Sequence, residues 1–279
     1  MRGIDVSHHQ GQIDWAKVKA EAGIGFVIIK AMFENGHTVE SAFERNYAGA
    51  QGLLRGVYLY AIARTVEGAR EEARDLVKIL GGRPLEYGVW LDLEDGKLGK
   101  VGRAQLTQQI DAQAEIIRAA GYRVGIYSNK NWYNNILDGA ALARRYPFWI
   151  ARYPFADNGT IKENLAPRGW AEVWQYSSKG KVPGIKGNCD LDIEMKDLEQ
   201  GVPAANGNPY QEPTRNIRLG GFGNDVRWLQ YELNWRGFSL VIDGIFGTNT
   251  DRQLRAFQDQ AHLICDGICG PKTRKALRS

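Results

Sequence analysis

Two carboxylates at alternate positions of an apolar segment are the residues of this sequence best suited to chemistry. The segment G-V-W-L-D-L-E-D-G covers residues 88–96, where Trp90, Asp92 and Glu94 alternate with aliphatic residues. Such alternation is typical of a β-strand and directs every second side chain to one face. Asp92 and Glu94 therefore extend from the same face of a predicted strand, with Cα atoms about 6.5 Å apart.

Two further acids, Asp5 and Asp190, lie on other apolar segments with strand-like patterns. Carboxylates that cluster repel one another, so at least one of them is expected to have a raised pKa and to hold a proton near neutral pH. Glycoside cleavage needs such a division, because a protonated acid serves the leaving oxygen while an ionised partner stabilises positive charge at the sugar carbon. The four acids therefore predict a glycoside-cleaving cleft.

Two other interpretations of the acids stay open at this point. The pair at Asp92 and Glu94 could lie on a solvated strand face, although the opposite face is strongly apolar. The acids could also bind Mg²⁺ or Ca²⁺, since both cations prefer oxygen ligands. The adjacent His8 and His9 do not favour a metal site, because neighbouring residues of a strand point to opposite faces.

Eight short apolar segments, several of them separated by amphipathic stretches, must position these acids. Alternating strands and helices predict a parallel sheet with right-handed crossovers, and eight strands are enough to close a barrel. We therefore expect an α/β fold: an irregular, TIM-like parallel β/α barrel, followed by a second, small all-α domain. The carboxyl ends of barrel strands carry the active site, and strands one and eight are neighbours. The predicted strands are 4–7, 26–31, 56–61, 89–94, 124–128, 148–151, 173–176 and 189–193.

Aromatic residues on these strands are candidates for contact with sugar rings, whose faces stack on aromatic platforms. Each of them individually is as compatible with a place in the core. The candidate substrate-binding residues are Tyr58, Tyr60, Trp90, Tyr127, Trp149, Trp174 and Tyr176.

The composition changes at residues 200–214, where prolines, glycines and asparagines predict a linker. The chain is therefore divided into a catalytic domain at 1–199, the linker, and a helical domain at 215–279. The second domain contains D-G-I-F-G-T-N-T at 243–250 and D-G-I-C-G-P-K-T at 266–273, a repeat of a turn that leads into a helix. Before the repeat, Val226, Leu229 and Leu233 share one helical face.

Composition excludes several classes of protein. The net charge is +4 over 279 residues, and the scattered basic residues do not favour nucleic-acid binding. The longest apolar runs are strand-sized, so no membrane segment is expected. The N-terminus has no charged leader followed by a long apolar stretch, so no signal peptide is expected.

Three cysteines do not make a disulfide scaffold, and whether Cys265 and Cys269 pair stays open.

Several motifs resemble the glycoside hydrolase family 25 lysozymes, in order along residues 1 to about 198. The second domain resembles a peptidoglycan-binding module through L-Q-Y-E-L, A-F-Q and its repeat. The motifs of the first domain are D-V-S-H-H-Q-G-Q-I-D-W (5–15), G-I-G-F-V-I-I-K-A (23–31), W-L-D-L-E-D (90–95), G-I-Y-S-N (125–129), F-W-I-A-R-Y (148–153), V-W-Q-Y-S-S (173–178) and G-N-C-D-L-D (187–192).

The resemblance implies an N-acetylmuramidase that hydrolyses the β-1,4 bond between N-acetylmuramic acid and N-acetylglucosamine without a metal or other cofactor. It implies that Glu94 is the general acid/base and that Asp92 either polarises the substrate N-acetyl group or acts as the second carboxylate. Asp5 and Asp190 complete the acidic set. The sequence departs from the family at Leu59-Tyr60, where His-Phe is frequent, and at Asp192, where Asn is frequent.

Two other functions compete with this prediction: a chitinase-like hydrolase acting on N-acetylglucosamine polymers, and a non-catalytic wall-binding lectin. The intact acids disfavour the lectin. We expect a monomer whose partner is bacterial peptidoglycan, not nucleic acid or a membrane. Without a leader, a phage endolysin is expected, which is made in the host cytoplasm and then released to act on the cell wall.

Overall fold

The computed structural model describes residues 1–34, 37–195, 208–213, 215–238, 240–242 and 244–278. The chain divides into two compact units, Met1–Leu198 and Glu199–Ser279. Of the predicted linker at 200–214, only residues 208–213 fall within the described residues. None of the described helices combines the length and the apolar character that a membrane crossing requires.

Eight strands close into a barrel in the order in which they follow one another along the chain. The predicted α/β barrel is therefore confirmed. The strands are β1 (Arg2–Val6), β2 (Phe26–Lys30), β3 (Leu54–Tyr60), β4 (Gly88–Asp92), β5 (Val124–Asn129), β6 (Phe148–Ala151), β7 (Val173–Gly180) and β8 (Cys189–Glu194).

Among the described residues, five α-helices lie in the first unit and three in the second. Their ends follow local signals: the Asp14 carboxylate accepts a hydrogen bond from Lys17 N, and Gly81 ends a helix at a φ of 56°, a conformation that favours glycine. The helices are α1 (Trp15–Glu21), α2 (Phe43–Gly49), α3 (Val66–Leu80), α4 (Arg103–Ala119), α5 (Gly139–Leu142), α6 (Asn224–Trp235), α7 (Thr248–Gln260) and α8 (Pro271–Arg278).

The eighth strand departs from the all-parallel prediction. β1 to β7 pair in parallel, whereas β8 runs antiparallel to both β7 and β1. The reason is the short connection between β7 and β8: residues 181–188 are too few for a crossover helix, and a parallel crossover needs a dozen or more residues. The reversal brings the start of β8, not its end, to the carboxyl ends of the other strands.

The strands separate two cores. Aliphatic residues such as Val89, Leu91 and Leu93 pack outward against the helices, while aromatic residues fill the barrel interior. Small residues make room for these rings. A Cβ on Gly125 would come within 2.4 Å of the Trp90 ring, so only glycine fits that position.

The repeat in the second unit has a structural cause. Gln230 on α6 accepts a hydrogen bond from Gly244 N and donates to Ile245 O. Gln258 on α7 does the same for the second copy, because it accepts from Gly267 N and donates to Ile268 O. Each turn is therefore held by a buried glutamine of the preceding helix.

The helical unit has its own apolar core, which contains Val226, Leu229 and Leu233 as predicted. Residues at the end of the predicted linker also belong to this unit. The buried Asn208 donates to Trp228 O at 3.0 Å and to Glu232 Oε1 at 2.7 Å. Sequence composition missed this anchor because a single asparagine among turn-forming residues gives no apolar signal. Cys265 is exposed and Cys269 is buried, and both are free thiols.

Candidate active site

Asp92 and Glu94 lie at the carboxyl end of β4, where the barrel opens. Asp92 is the last residue of the strand and is 4% exposed. Leu93 N still donates to Tyr127 O at 2.9 Å, which extends the ladder by one residue. Glu94 follows and is exposed to solvent. The two carboxyl groups therefore differ in environment, one buried inside the barrel and one at its mouth.

Asp5 and Asp190 face each other across the antiparallel pair of β1 and β8, where they are register partners. Asp5 is 6% exposed, and Asp190 is half-buried. Tyr58 on β3 lies near the acids of β1, β4 and β8. Burial raises its pKa well above the usual value, and the charges of Asp5, Asp92 and Asp190 are close enough to raise it further. The structure therefore brings the predicted acids into one group.

The acids do not titrate as independent carboxylates. Burial raises the pKa of Asp92 well above its usual value, with a further contribution from the charge of Glu94. The protein around the mouth takes part of the solvent away from Glu94, and this partial desolvation raises its pKa, while the charge of Lys30 opposes that shift. The pKa of Asp190 rises to about 6 through burial and the charges of Asp157 and Glu94. A group of this kind holds protons at a pH where free carboxyls have lost them.

Lys30 is a buried cation close to the acids of β4, and no motif singled it out. It ends β2 with 4% exposure, and its ammonium lies 3.1 Å from Glu34 Oε1. The same ammonium lies 5.4 Å from the centroid of the Tyr60 ring. A lysine at the end of an apolar strand is a recognisable signal, because its charge is costly to bury unless acids lie opposite.

A hydrogen-bond network holds the floor of the cleft. The Tyr127 hydroxyl donates to Gln175 Oε1 at 2.9 Å, and Gln175 Nε2 donates to Asp5 Oδ2 at 2.9 Å. In parallel, the Trp149 indole donates to Asp192 Oδ1 at 2.8 Å. Neither Gln175 nor Asp192 was predicted as a site residue. Their signal is a polar side chain on the inward-facing side of a buried strand.

Most of the predicted sugar-stacking aromatics turn out to be core residues. Trp90 and Trp149 are 2% and 1% exposed and fill the barrel below the acids, with ring centroids 6.0 Å apart. Tyr127 belongs to the same interior cluster, and only its hydroxyl reaches the polar floor. The placement contradicts direct stacking of a sugar on these rings, because neighbouring side chains cover their faces.

Trp174 and Tyr176 need a larger correction. Both pack in the outer core between the strands and the helices, on the side opposite to Gln175. The Trp174 indole donates to Arg152 O at 2.7 Å, which satisfies its polar end. Because side chains alternate along β7, the residues that flank Gln175 must point away from the cleft.

The tyrosines at the mouth of the barrel are better placed to contact a substrate. Tyr58 and Tyr60 are half-buried. Burial raises the pKa of Tyr60 to about 12, with contributions from the nearby Asp95, Glu94 and Asp92. Tyr153, which the prediction did not include, is 41% exposed and lies close enough to Asp190 and Glu94 for their charges to raise its pKa, after the larger effect of burial.

Asp157 fixes the loop beside Asp190. It accepts hydrogen bonds from Ser177 Oγ and from Ser178 N, both at 2.7 Å. Burial raises the pKa of Asp157, but the hydrogen bonds from Ser177, Gly159 and Ser178 outweigh it and leave the pKa below its usual value. The ionised Asp157 in turn helps to keep a proton on Asp190.

This arrangement combines proton donors with negative charge around one opening, which is what acid-catalysed cleavage of an acetal requires. Among the described residues, no set of three or more His, Cys, Asp or Glu side chains is arranged to hold a metal ion.

Comparisons with known proteins agree with this chemistry. The family model of the glycosyl hydrolases family 25 matches residues 4–185, and that of a peptidoglycan binding domain matches residues 222–277. The autolytic lysozyme of Clostridium acetobutylicum is 30% identical over 283 residues, which cover 100% of this chain and 79% of that protein. Lysozyme M1 of Streptomyces globisporus is 32% identical over 68% of this chain and 66% of its own length.

Among solved structures, the CTP1L endolysin is 28% identical, with a TM-score of 0.57 over 71% of this chain and 67% of its own. The first match includes Asp5, Asp92 and Glu94 and ends shortly before Asp190, and the second match lies in the helical unit. The chain therefore belongs to glycosyl hydrolase family 25 and is a lysozyme-type glycoside hydrolase with a C-terminal peptidoglycan-binding domain.

Proposed function

We propose that this enzyme is an N-acetylmuramidase that hydrolyses the β-1,4 bond between N-acetylmuramic acid and N-acetylglucosamine, with Glu94 as the general acid/base. The observation that carries the proposal is the contrast between the exposed Glu94 and the buried Asp92 two residues before it. A proton donor must reach the glycosidic oxygen from the mouth of the cleft. The buried Asp92 carboxyl can act only on substrate groups that reach into the cleft.

Because its pKa is raised, Glu94 can hold the proton that the leaving oxygen needs. In the proposed first step Glu94 donates this proton to the leaving glycosidic oxygen while the bond to the sugar carbon breaks. Asp92 would polarise the N-acetyl group of the substrate or stabilise the positive charge that develops at the sugar carbon. In the second step Glu94 takes a proton from water, which attacks the same carbon and restores the acid.

Asp5 and Asp190 complete the acidic set from the opposite wall. We propose that they hold substrate hydroxyl or amide groups and stabilise positive charge in the transition state. Tyr58, Tyr60 and Tyr153 are proposed as side chains that contact the sugars, because they lie near the acids and keep accessible surface. Their partial exposure is the property that Trp90 and Trp149 lack.

The proposal is tested by incubating purified wall sacculi and, separately, chitin with the wild type and with Glu94→Gln. We expect soluble muropeptides with a new reducing end on muramic acid, and a loss of activity of about 10²- to 10⁴-fold in the variant, because general acid catalysis contributes that much. Glu115→Gln on the exposed surface of α4 is the matched control and should be fully active.

The alternatives give different products. Cleavage of chitin but not of sacculi would identify a chitinase-like hydrolase. Binding to sacculi without release of muropeptides by the wild type would identify a lectin. A new reducing end on N-acetylglucosamine instead of muramic acid would assign the other glycosidic bond.

We further propose that the helical domain anchors the enzyme to the wall, since tethering raises the local substrate concentration without new contacts at the cleft. The match to a peptidoglycan-binding family supports this role. The inactive full-length Glu94→Gln variant should sediment with sacculi, whereas residues 1–199 with the same substitution should remain largely in solution. Equal sedimentation of the two would remove the anchoring role.

The similarity to an endolysin supports a role in phage-induced lysis from inside the host, with the enzyme acting on the wall after release from the cytoplasm. We expect cytoplasmic expression in a susceptible host to be harmless until the membrane is permeabilised, and then to cause a rapid fall in turbidity. Lysis without permeabilisation would contradict this route.

A further inference from the structure

Asp192 is a buried acid with an incomplete set of hydrogen bonds. Its side chain is 0% exposed, and its Oδ1 accepts the hydrogen bond from the Trp149 indole. Its Oδ2 is buried, and no N–H or neutral hydroxyl of the described residues donates to it. A buried carboxylate oxygen without a donor is strongly destabilising. Asp192 therefore needs a proton from another source.

The neighbouring group that reaches Asp192 is the carboxyl of Asp5. The β1–β8 register pairs Gly3 with Asp192 and Asp5 with Asp190, so both side chains point into the barrel two positions apart. Asp5 and Asp192 lie within hydrogen-bonding reach of each other. Two carboxylates make such a contact only when one of them carries a proton, since two ionised groups would repel each other in a medium of low dielectric.

We propose that Asp5 and Asp192 share one proton, and that Asp192 is a positioning residue which fixes Asp5 in the cleft. In this arrangement the Asp5 carboxyl donates to Asp192, Gln175 donates to Asp5, and Trp149 donates to Asp192. The pair carries a single negative charge. The inference rests on the proposed function, because it assigns to Asp192 the support of an acid that the proposed reaction uses.

The groups around the pair favour retention of the proton. Burial, followed by the charges of Asp190 and Asp192, raises the pKa of Asp5, and burial also raises that of Asp192. Asp5 Oδ2 already accepts from Gln175, whereas Asp192 Oδ2 has no other donor among the described residues, so the shared proton serves Asp192 Oδ2 as its acceptor. Within the described part of the chain, the other titratable groups close to the pair are Asp190 and Cys189 on β8, Tyr58 on β3, Tyr127 on β5 and Tyr87 before β4.

The test compares Asp192→Asn with Asp192→Leu. The asparagine amide donates to Asp5 at every pH while its oxygen still accepts from Trp149, so the variant has no shared proton to lose. In the wild type the loss of the shared proton and the loss of the Glu94 proton both end activity, so we expect the alkaline limb of the kcat/KM profile to be less steep in Asp192→Asn, where only the Glu94 proton can be lost. Asp192→Leu offers neither contact and should lose activity at every pH.

Thermal unfolding gives a readout that is independent of catalysis. A carboxyl whose folded pKa is raised contributes stability that is present below its unfolded pKa of about 4 and is lost as the pH rises through the folded value. Asp192→Asn should therefore melt higher than the wild type at pH 8, with an advantage that shrinks towards pH 4. Asp5→Asn removes the same shared proton and should show the same trend if the first variant folds poorly.

Glu72→Gln is the matched control, because Glu72 is a buried acid with a raised pKa outside the cleft. It should change the pH dependence of stability and leave the alkaline limb of activity in place. The shared proton is overturned if Asp192→Asn keeps both the wild-type activity limb and the wild-type pH dependence of melting. An inactive wild type would refute the proposed reaction instead, and the melting curves would still decide the pair.

Discussion

The Tyr127 hydroxyl donates to Gln175 Oε1 and thereby determines which end of the Gln175 amide faces Asp5. With its oxygen engaged by Tyr127, the amide presents its nitrogen to the Asp5 carboxyl. Three strands contribute to this chain of hydrogen bonds, since Tyr127 lies on β5, Gln175 on β7 and Asp5 on β1. The orientation of a proposed site carboxyl is thus fixed by a residue across the barrel.

Tyr127→Phe removes that hydroxyl and leaves Gln175 Oε1 without its donor. We expect a loss of about 1–3 kcal/mol of stability, the cost of an unsatisfied buried polar atom. We also expect kcat to fall by about tenfold, because a misplaced acid lowers the rate. Tyr146→Phe is the control, because the Tyr146 hydroxyl donates to Asp111 Oδ1 at a distance of 2.6 Å and this hydrogen bond lies outside the cleft. It should lose stability but not kcat, and an unchanged kcat in Tyr127→Phe would contradict the positioning role.

Lys30→Met tests the buried cation beside the β4 acids. Lys30 lowers the pKa of both Asp92 and Glu94, against the larger effect of burial. Removal of Lys30 should raise the pKa of both acids. An acid that must be ionised then becomes protonated already at a higher pH, and an acid that must be protonated keeps its proton up to a higher pH. Both limbs of the kcat/KM profile should move upward by about one pH unit. Lys17→Met, on the exposed surface of α1, should leave both limbs in place.

Glu72→Gln tests a buried acid that supports the loop after β3. Glu72 accepts hydrogen bonds from Ile62 N and Ala63 N, and burial raises its pKa from the usual 4.5 to about 7. The folded wild type gains stability from this proton below pH 4.5 and loses it as the pH rises through 7. At pH 8 the variant should be more stable by up to about 3 kcal/mol, and at pH 4 the two should unfold alike. Chemical denaturation at the two pH values measures the difference.

Removal of divalent cations tests the remaining interpretation of the acids. If the carboxyl groups act as acid, base and electrostatic stabilisers, dialysis against EDTA should leave the rate of muropeptide release within about twofold of the untreated enzyme. A loss of activity that is restored by added Mg²⁺ or Ca²⁺, but not by Na⁺ at equal ionic strength, would instead support an oxygen-ligated cation.

The acids could be predicted from the sequence because two simple rules act on them. Alternation placed Asp92 and Glu94 on one face, and the carboxyl ends of barrel strands meet at one mouth. Asp190 was placed in the cleft by the closure of the barrel, although the reversal of its strand was not foreseen. Because β8 runs backwards, it is the beginning of the strand, next to Cys189, that reaches the acids.

The aromatic residues could not be sorted in the same way. Trp90 points to the same side as Asp92, but it lies one layer deeper, and alternation carries no information about depth. For Trp174 and Tyr176 the choice of face depended on the register of β7 against its neighbours, which the apolar pattern of V-W-Q-Y leaves ambiguous. Gln175, which lies between them, is the better indicator of the face of β7 that points into the cleft, since a buried amide needs polar partners.

The reversed eighth strand also determines where the chain enters the first strand of the barrel and where it leaves the last one. Arg2 is the register partner of Ile193, and Glu194 N donates to Met1 O at 2.9 Å. The first strand begins and the last strand ends side by side, at the rim furthest from the acids. A short peptide bridge between these two points could turn the catalytic unit into a circular polypeptide, and new termini could then be opened in an external loop without any segment crossing the entrance used by the glycan.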